Sequence, residues 1–264
     1  MRDLDALNPP FAKPSSACRV GALIPFILGG ASMVLVSDAS TASSPGTNPL
    51  ALVLSGVVLL NFLLFFIPRI FRWDWNVRYF LVSGFQLGSI VMLGGVPWLC
   101  FLLYGSPPLA LRGLAFLAYL AIIFLPGRRF IQMYADIQQS GELMRYLYQH
   151  DAEDDTYYYV QKNDVRLQEK KYKVSFFPPA MLFIAFALAA FAMIPFAGQL
   201  SALAGLPFAH LFMGIISVPI DMMGINFLVK AWLVFAYLPK SIGKRAGQKV
   251  LVDMGSSTKL PARH

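Results

Sequence analysis

Six long apolar stretches, near residues 20–36, 49–67, 79–104, 106–126, 174–197 and 209–230, alternate with loops whose positive charge is sorted to one side. Arg2, Lys13 and Arg19 precede the first stretch, and Arg69, Arg72 and Arg78 separate the second from the third. The segment from Arg128 to Lys173 is rich in Lys and Arg, and so is the tail from Lys240 to Arg263. The alternate loops 38–48, 104–108 and 198–208 carry neither residue. Arg112 is the exception, close enough to a helix end for its head to reach the surface. An excess of Lys and Arg marks the cytoplasmic side of a membrane. The pattern therefore predicts six transmembrane helices with the N and C termini cytoplasmic.

Each stretch approaches the roughly 20 residues that a helix needs to cross about 30 Å of hydrocarbon. Backbone groups in lipid must be satisfied within the segment, so spans of this length are helical. The predicted fold is an all-α polytopic helical membrane protein with a small cytoplasmic insert between helices 4 and 5. Charged residues make up 14% of the 264-residue chain, well under the roughly 25% of a soluble domain. The net charge of +8 falls at helix ends, where anionic headgroups attract it. No nucleic-acid partner is expected, and the lipid bilayer is. Cys18 and Cys100 fall at different depths and carry no metal-ligand spacing, so neither a disulfide nor a metal site is expected. The small residues after Val36 resemble a leader cleavage site, but the 19 residues before the run are long for a leader. The short loops and the lack of a glycosylation sequon fit a bacterial inner membrane protein.

The organisation follows. Residues 1–18 form a cytoplasmic N-terminal arm, 19–126 carry helices 1–4, 127–173 form the insert, 174–238 carry helices 5 and 6, and 239–264 are a basic cytoplasmic tail. Pro126-Gly127 reads as the end of helix 4. In the insert, Phe130, Met133, Tyr134 and Ile137 recur at helical spacing. A hairpin is expected beyond them, with one strand at 156–161, a turn at Lys162-Asn163-Asp164 and a second strand following; one continuous helix is the alternative. The loop 198–208 is uncharged and lies on or dips into the membrane. Residues 209–238 are too long for one upright span, so the helix either tilts or bends near Pro219 and runs along the interface after Lys230.

Asp221 is the only acid inside a span, about 18 Å along its helix and so near the bilayer midplane. A charge there costs at least about 2.5–3.5 kcal/mol, so such residues usually serve an ion or proton path. The structural reading pairs Asp221 with Lys230, His210 or Asn61, or makes it the N-cap of the helix after Pro219. Asp221 and Asn61 are the candidate ion or proton site. Gly94-Gly95-Val96-Pro97 and Val218-Pro219 through Gly224 are breaks at corresponding positions of two three-helix halves, a transporter pattern, although the loops of the halves do not match.

Arg69, Arg72, Trp73, Trp75 and Arg78 have the chemistry of interface anchors. Tyr157, Tyr158 and Tyr159, with Asp154 and Asp155, are the candidate partner contact, because aromatic surfaces favour protein binding. His150 heads an acidic run that reads as a solvated turn rather than a cation loop. No hydrolase, zinc-protease, phosphate-loop or dinucleotide motif occurs, so no catalytic residue and no cofactor is expected. The first functional expectation is a non-enzymatic inner-membrane interaction protein, an immunity or exclusion factor or a subunit of a larger complex, touching its membrane or cytoplasmic protein partner through 127–173. The second is a small transporter or channel working through Asp221.

Overall fold

The computed structural model describes residues 14–39, 48–71, 76–151, 156–242 and 250–253. Five helical stretches are long and apolar enough to cross a membrane: Pro49–Ile67, Val77–Tyr104, Leu109–Gln139, Ala180–Ala204 and Val218–Ile242. The chain is thus a multi-pass membrane protein. A further helix, α1 (Pro14–Ala39), ends in a shorter apolar segment, Ile27–Ala39.

Apolar, mostly unbranched sequence makes these helices, and local polar groups end them. In α2 (Pro49–Ile70), Pro49 needs no hydrogen-bond acceptor at the first position, and the Asn48 side chain accepts from the Leu50 N–H at 3.0 Å. Asn76 caps α3 (Val77–Gly88) by accepting from Arg78 N at 2.9 Å. A 3-10 turn, Ser89–Val91, separates α3 from α4 (Met92–Tyr104), which contains Pro97. At the end of α4, Arg112 turns back so that its guanidinium donates to the Leu102 carbonyl at 2.7 Å. It satisfies a helix terminus.

Helix α5 (Leu109–Gln139) does not stop at Pro126-Gly127. Proline forfeits one backbone bond, and packed neighbours in a membrane bundle tolerate that loss. Gly127 is where the helix at 218–232 comes close: a Cβ there would sit 3.0 Å from Ile225 and 3.2 Å from Val229. The chain next forms a one-turn π-helix at Leu143–Leu147, then β1 (Tyr148–Asp151), β2 (Thr156–Val160) and α6 (Gln161–Arg166), which widens into a π-helical turn at Leu167–Tyr172. Helices α7 (Ala180–Ala192) and α8 (Ala197–Ala204) follow, separated by a 3-10 turn at Pro195. The expected external loop at 198–208 is therefore largely helical. It turns only at Gly205, whose φ of +68° suits glycine.

Helices α9 (Phe208–Ile216) and α10 (Val218–Trp232) join at Ser217, and a π-helical turn, Leu233–Tyr237, leads to α11 (Leu238–Ile242). The last span is interrupted at Ser217, near the expected Pro219. Beyond Lys230 it enters an apolar core with Val234 and Leu238. That core belongs to an appendage built on two helix extensions. It joins Phe130, Met133, Tyr134 and Ile137 of α5 to Val234 and Leu238, with Leu147, Tyr148, Tyr159 and Leu167 between them.

A three-stranded sheet, in the order β1-β2-β3, closes the appendage, with β3 (Val250–Asp253) coming from the tail. β1 and β2 are antiparallel with Tyr148 opposite Tyr159, and β2 and β3 are parallel with Tyr159 opposite Val252. The paired strands are thus 148–151 and 156–160, and 162–164 is not a hairpin turn. Asn163, Asp164, Leu167 and Gln168 are all buried at helical spacing, which makes 161–172 a helix that presents one face inward. The basic tail is not wholly separate, since Val250 and Val252 are core residues.

α3–α4 and α10 run antiparallel along a seam of small residues. A Cβ on Gly88 would meet Leu228 and the Gly224 carbonyl, and one on Gly224 would meet Val91 N at 2.9 Å and Gly88 O at 3.1 Å. Helices in lipid gain stability from such close approach. Gly224→Val is therefore expected to destabilise the fold by about 1–3 kcal/mol through overpacking. Gly56→Ala, with open space around it, is expected to be neutral. Thermal melts in detergent check this: a clear drop in Tm for the first variant only is the expected outcome, and equal melts would contradict the seam.

Candidate functional site

Asp221 is fully buried in the first turn of α10, where the seam crosses both helix interruptions. Ser217 lies one turn before it, and the N–H of Gly94 lies near the start of α4, just after the 3-10 turn Ser89–Val91. That N–H donates to Asp221 Oδ1 at 3.2 Å. Tyr119 of α5 donates its phenol to Oδ2 at 3.1 Å, and the Ser217 hydroxyl approaches Oδ2 at 3.4 Å. The carboxylate thus caps a neighbouring helix rather than its own, with the positive end of the α4 dipole beside it. Only glycine fits at position 94, since a Cβ would collide with Asp221 Oδ2 and Ser217 Oγ. Trp98 closes one side, stacked on Tyr119 with centroids 5.1 Å apart and its indole N–H donating to Gly214 O at 2.9 Å.

None of the partners expected for Asp221 is found beside it. Lys230 pairs with Asp164 at 2.9 Å, His210 Nε2 lies 2.8 Å from Leu35 O, and Asn61 donates to Val57 O of its own helix at 2.9 Å. Asn61 and Asp221 are therefore not one site. Nor does Asp221 cap its own helix with its side chain, as the kink at Pro219 predicted.

A second buried carboxylate organises the appendage. Asp164 accepts from Tyr134 at 2.9 and 3.0 Å, from Tyr159 at 2.5 Å and from Lys230, while Gln168 donates to the Tyr134 hydroxyl at 3.1 Å. Tyr148 donates to the Val234 carbonyl at 2.5 Å, a backbone group inside the π-helical turn. Burial first, and then the charge of Asp164, hold the phenols of Tyr148 and Tyr159 well above their ordinary range. They remain donors.

Tyr158 and Tyr159 are 1% and 0% exposed, so they are core residues and not a contact surface. β2 is the central strand, and both its faces are covered. Tyr157 alone is partly exposed, tilted against the exposed His150 with ring centroids 4.7 Å apart. Asp154, Asp155, Arg72, Trp73 and Trp75 lie outside the described residues, as does the Arg69 side chain; Arg78 is exposed at the start of α3. The sequence reading passed over Asp164 as a turn residue, although its helical spacing with Leu167 and Gln168 was a usable signal. It also passed over Gln86, fully buried in α3 with neither amide atom hydrogen-bonded among the described residues, and Asn226, which donates to Phe176 O at 2.8 Å.

No family model, curated protein or solved structure matches the chain.

Replacing Asp164 by Ala strands Lys230 and two phenols, and removing one partner of a buried pair costs about 3–5 kcal/mol. The more exposed Lys171–Glu142 pair is expected to matter by no more than about 1 kcal/mol. Urea titrations of Asp164→Ala and Lys171→Ala should show that contrast. The raised phenols add a pH dependence. Because the folded state holds these protons more tightly, their contribution is complete below the ordinary tyrosine pKa of about 10 and is lost as pH rises further. The urea midpoint should fall between pH 8 and pH 11, and less so in Tyr159→Phe; an identical fall in both proteins would contradict the assignment.

Proposed function

We propose that the protein is a small membrane transporter or channel that conducts protons, with Asp221 taking up and releasing the proton. The observation that carries this reading is one buried carboxylate flanked by the interruptions of two packed helices, Ser89–Val91 of α3–α4, which faces Gly224, on one side and Ser217 of α9–α10, which faces Gly94, on the other. Transporters place their sites at such junctions, because broken helices supply backbone groups where a continuous helix has none to spare. The donor set suits a proton better than a metal cation. Gly94 offers an N–H, and Tyr119 and Ser217 offer hydroxyls that already donate, whereas a hard cation calls for a shell of oxygen acceptors.

The sorted Lys and Arg support a six-span arrangement that includes α1, with both termini and the appendage in the cytoplasm and the protein in a bacterial inner membrane. Asp221 then lies near the bilayer midplane, where an intramembrane acid is a functional residue by default.

Proteoliposomes loaded with a pH-sensitive dye test this. Under an imposed potential the wild type should acidify the lumen, and Asp221→Asn should abolish the signal. Tyr119→Phe, which removes one hydrogen bond worth about 1 kcal/mol, should slow it by about fivefold. Equal proton flux in wild type and Asp221→Asn, or none in either, would overturn the reading.

A second reading keeps the appendage as a docking element of a non-enzymatic interaction protein. Its support is narrower than the tyrosine run, and consists of the exposed His150 with the partly exposed Tyr157 beside it. Under that reading a mild-detergent pull-down recovers a stoichiometric protein that Tyr157→Ala loses.

A further inference from the structure

Two helices carry both buried carboxylate sites. Helix α5 contributes Tyr119 to Asp221 and Tyr134 to Asp164, and α10 contributes Asp221 itself and Lys230 to Asp164. They run parallel, with Gly127 of α5 against Ile225 and Val229 of α10 between the two ties. At 1.5 Å per residue, Asp221 and Lys230 are about 13.5 Å apart along one helix, and Tyr119 and Tyr134 about 22 Å. Val218–Trp232 is regular α-helix, bounded by the interruption at Ser217 and by the π-helical turn that begins at Leu233. Helices bend at such irregularities and stay stiff between them. The segment is therefore a rod jointed at both ends, and whatever displaces Lys230 displaces Asp221.

From this geometry we infer that the appendage regulates Asp221, and that the Asp164–Lys230 pair is the clutch. The functional meaning of the inference rests on the reading of Asp221 as the working carboxyl. With the pair engaged, the rod is held against α5 at both ends, and Asp221 stays fully buried among Gly94, Tyr119 and Ser217. Asp164 is anchored by strand β2 through Tyr159 and by α5 through Tyr134, so it is a fixed post on the appendage side. Lys230 is the moving half, still 17% exposed in its side chain. The Tyr148 hydroxyl grips the rod just past its lower joint, at Val234 O. A ligand or protein that rearranges the sheet therefore acts on Asp221 without touching the membrane-embedded residues, by a shift in the population of two rod positions.

Dicyclohexylcarbodiimide modification of Asp221, followed by mass spectrometry on the full-length protein in detergent, tests this. Lys230→Gln breaks the ion pair while keeping a polar head. It should raise the labelling rate by about three- to thirtyfold, the span of coupling carried by residues between two sites. Lys230→Arg, which keeps the pair, should label like the wild type, and Asp221→Asn should not label at that position. Hydrogen exchange of the β1 and β2 amides monitors folding. Leu147→Ala loosens the same core without touching the pair.

Unchanged labelling in Lys230→Gln with the strands still protected would overturn the clutch. So would an equal rise in Leu147→Ala, because general loosening would then explain it. Failure of the transport reading looks different. A wild type that moves no protons, while labelling still responds to Lys230→Gln, removes transport and leaves the coupling. Proton flux lost in Asp221→Asn, with labelling indifferent to position 230, does the reverse.

Discussion

The hydrogen bond from the Gly94 N–H to Asp221 joins the two interrupted helices, and the rest of the architecture is arranged around that junction. A carboxylate is costly inside an apolar bundle unless its lone pairs are satisfied. A helix that restarts in mid-bundle has N–H groups to give. Each defect answers the other. The solution demands small residues on both partners, and the seam supplies them with Gly88 and Gly94 on one side and Ser217 and Gly224 on the other. It also demands a third helix to complete the shell, which is why Tyr119 of α5 is 3% exposed and stacked on Trp98.

The same helices that form the junction leave the bundle and become the frame of the appendage. Its core residues on α5 and beyond α10 continue the faces that pack within the bundle, and the short strands and α6 fill the space between them. It is therefore an outgrowth of the bundle rather than an inserted domain. Its central carboxylate, Asp164, repeats the logic of Asp221 with a different donor set: an ammonium and two phenols in place of a backbone N–H and a phenol.

The apolar stretches were legible because length and hydrophobicity alone decide whether a helix can cross a membrane. Asp221 was legible because an acid in such a stretch is rare. Its partners were not, since periodicity says which face a residue occupies but not which helix lies opposite. Pro126-Gly127 misled for a physical reason. Proline and glycine stop helices where water competes for the backbone, whereas here Gly127 sits under Ile225 and Val229 and the helix continues. The tyrosine run misled because tyrosines fill cores as readily as they line contact surfaces, and β2 is central and covered on both sides. The tail strand was illegible locally, because four residues of Val-Leu-Val-Asp become a strand only where β2 offers a free edge.

The most direct measurement is infrared difference spectroscopy of the carboxyl C=O stretch as pH is stepped over the range in which the protein stays folded, in wild type and in Asp221→Asn. The account predicts a protonated-carboxyl band that appears and disappears with pH in the wild type and is missing from the variant. A wild-type spectrum without such a band, or one that Asp221→Asn leaves unchanged, would contradict Asp221 as the proton site.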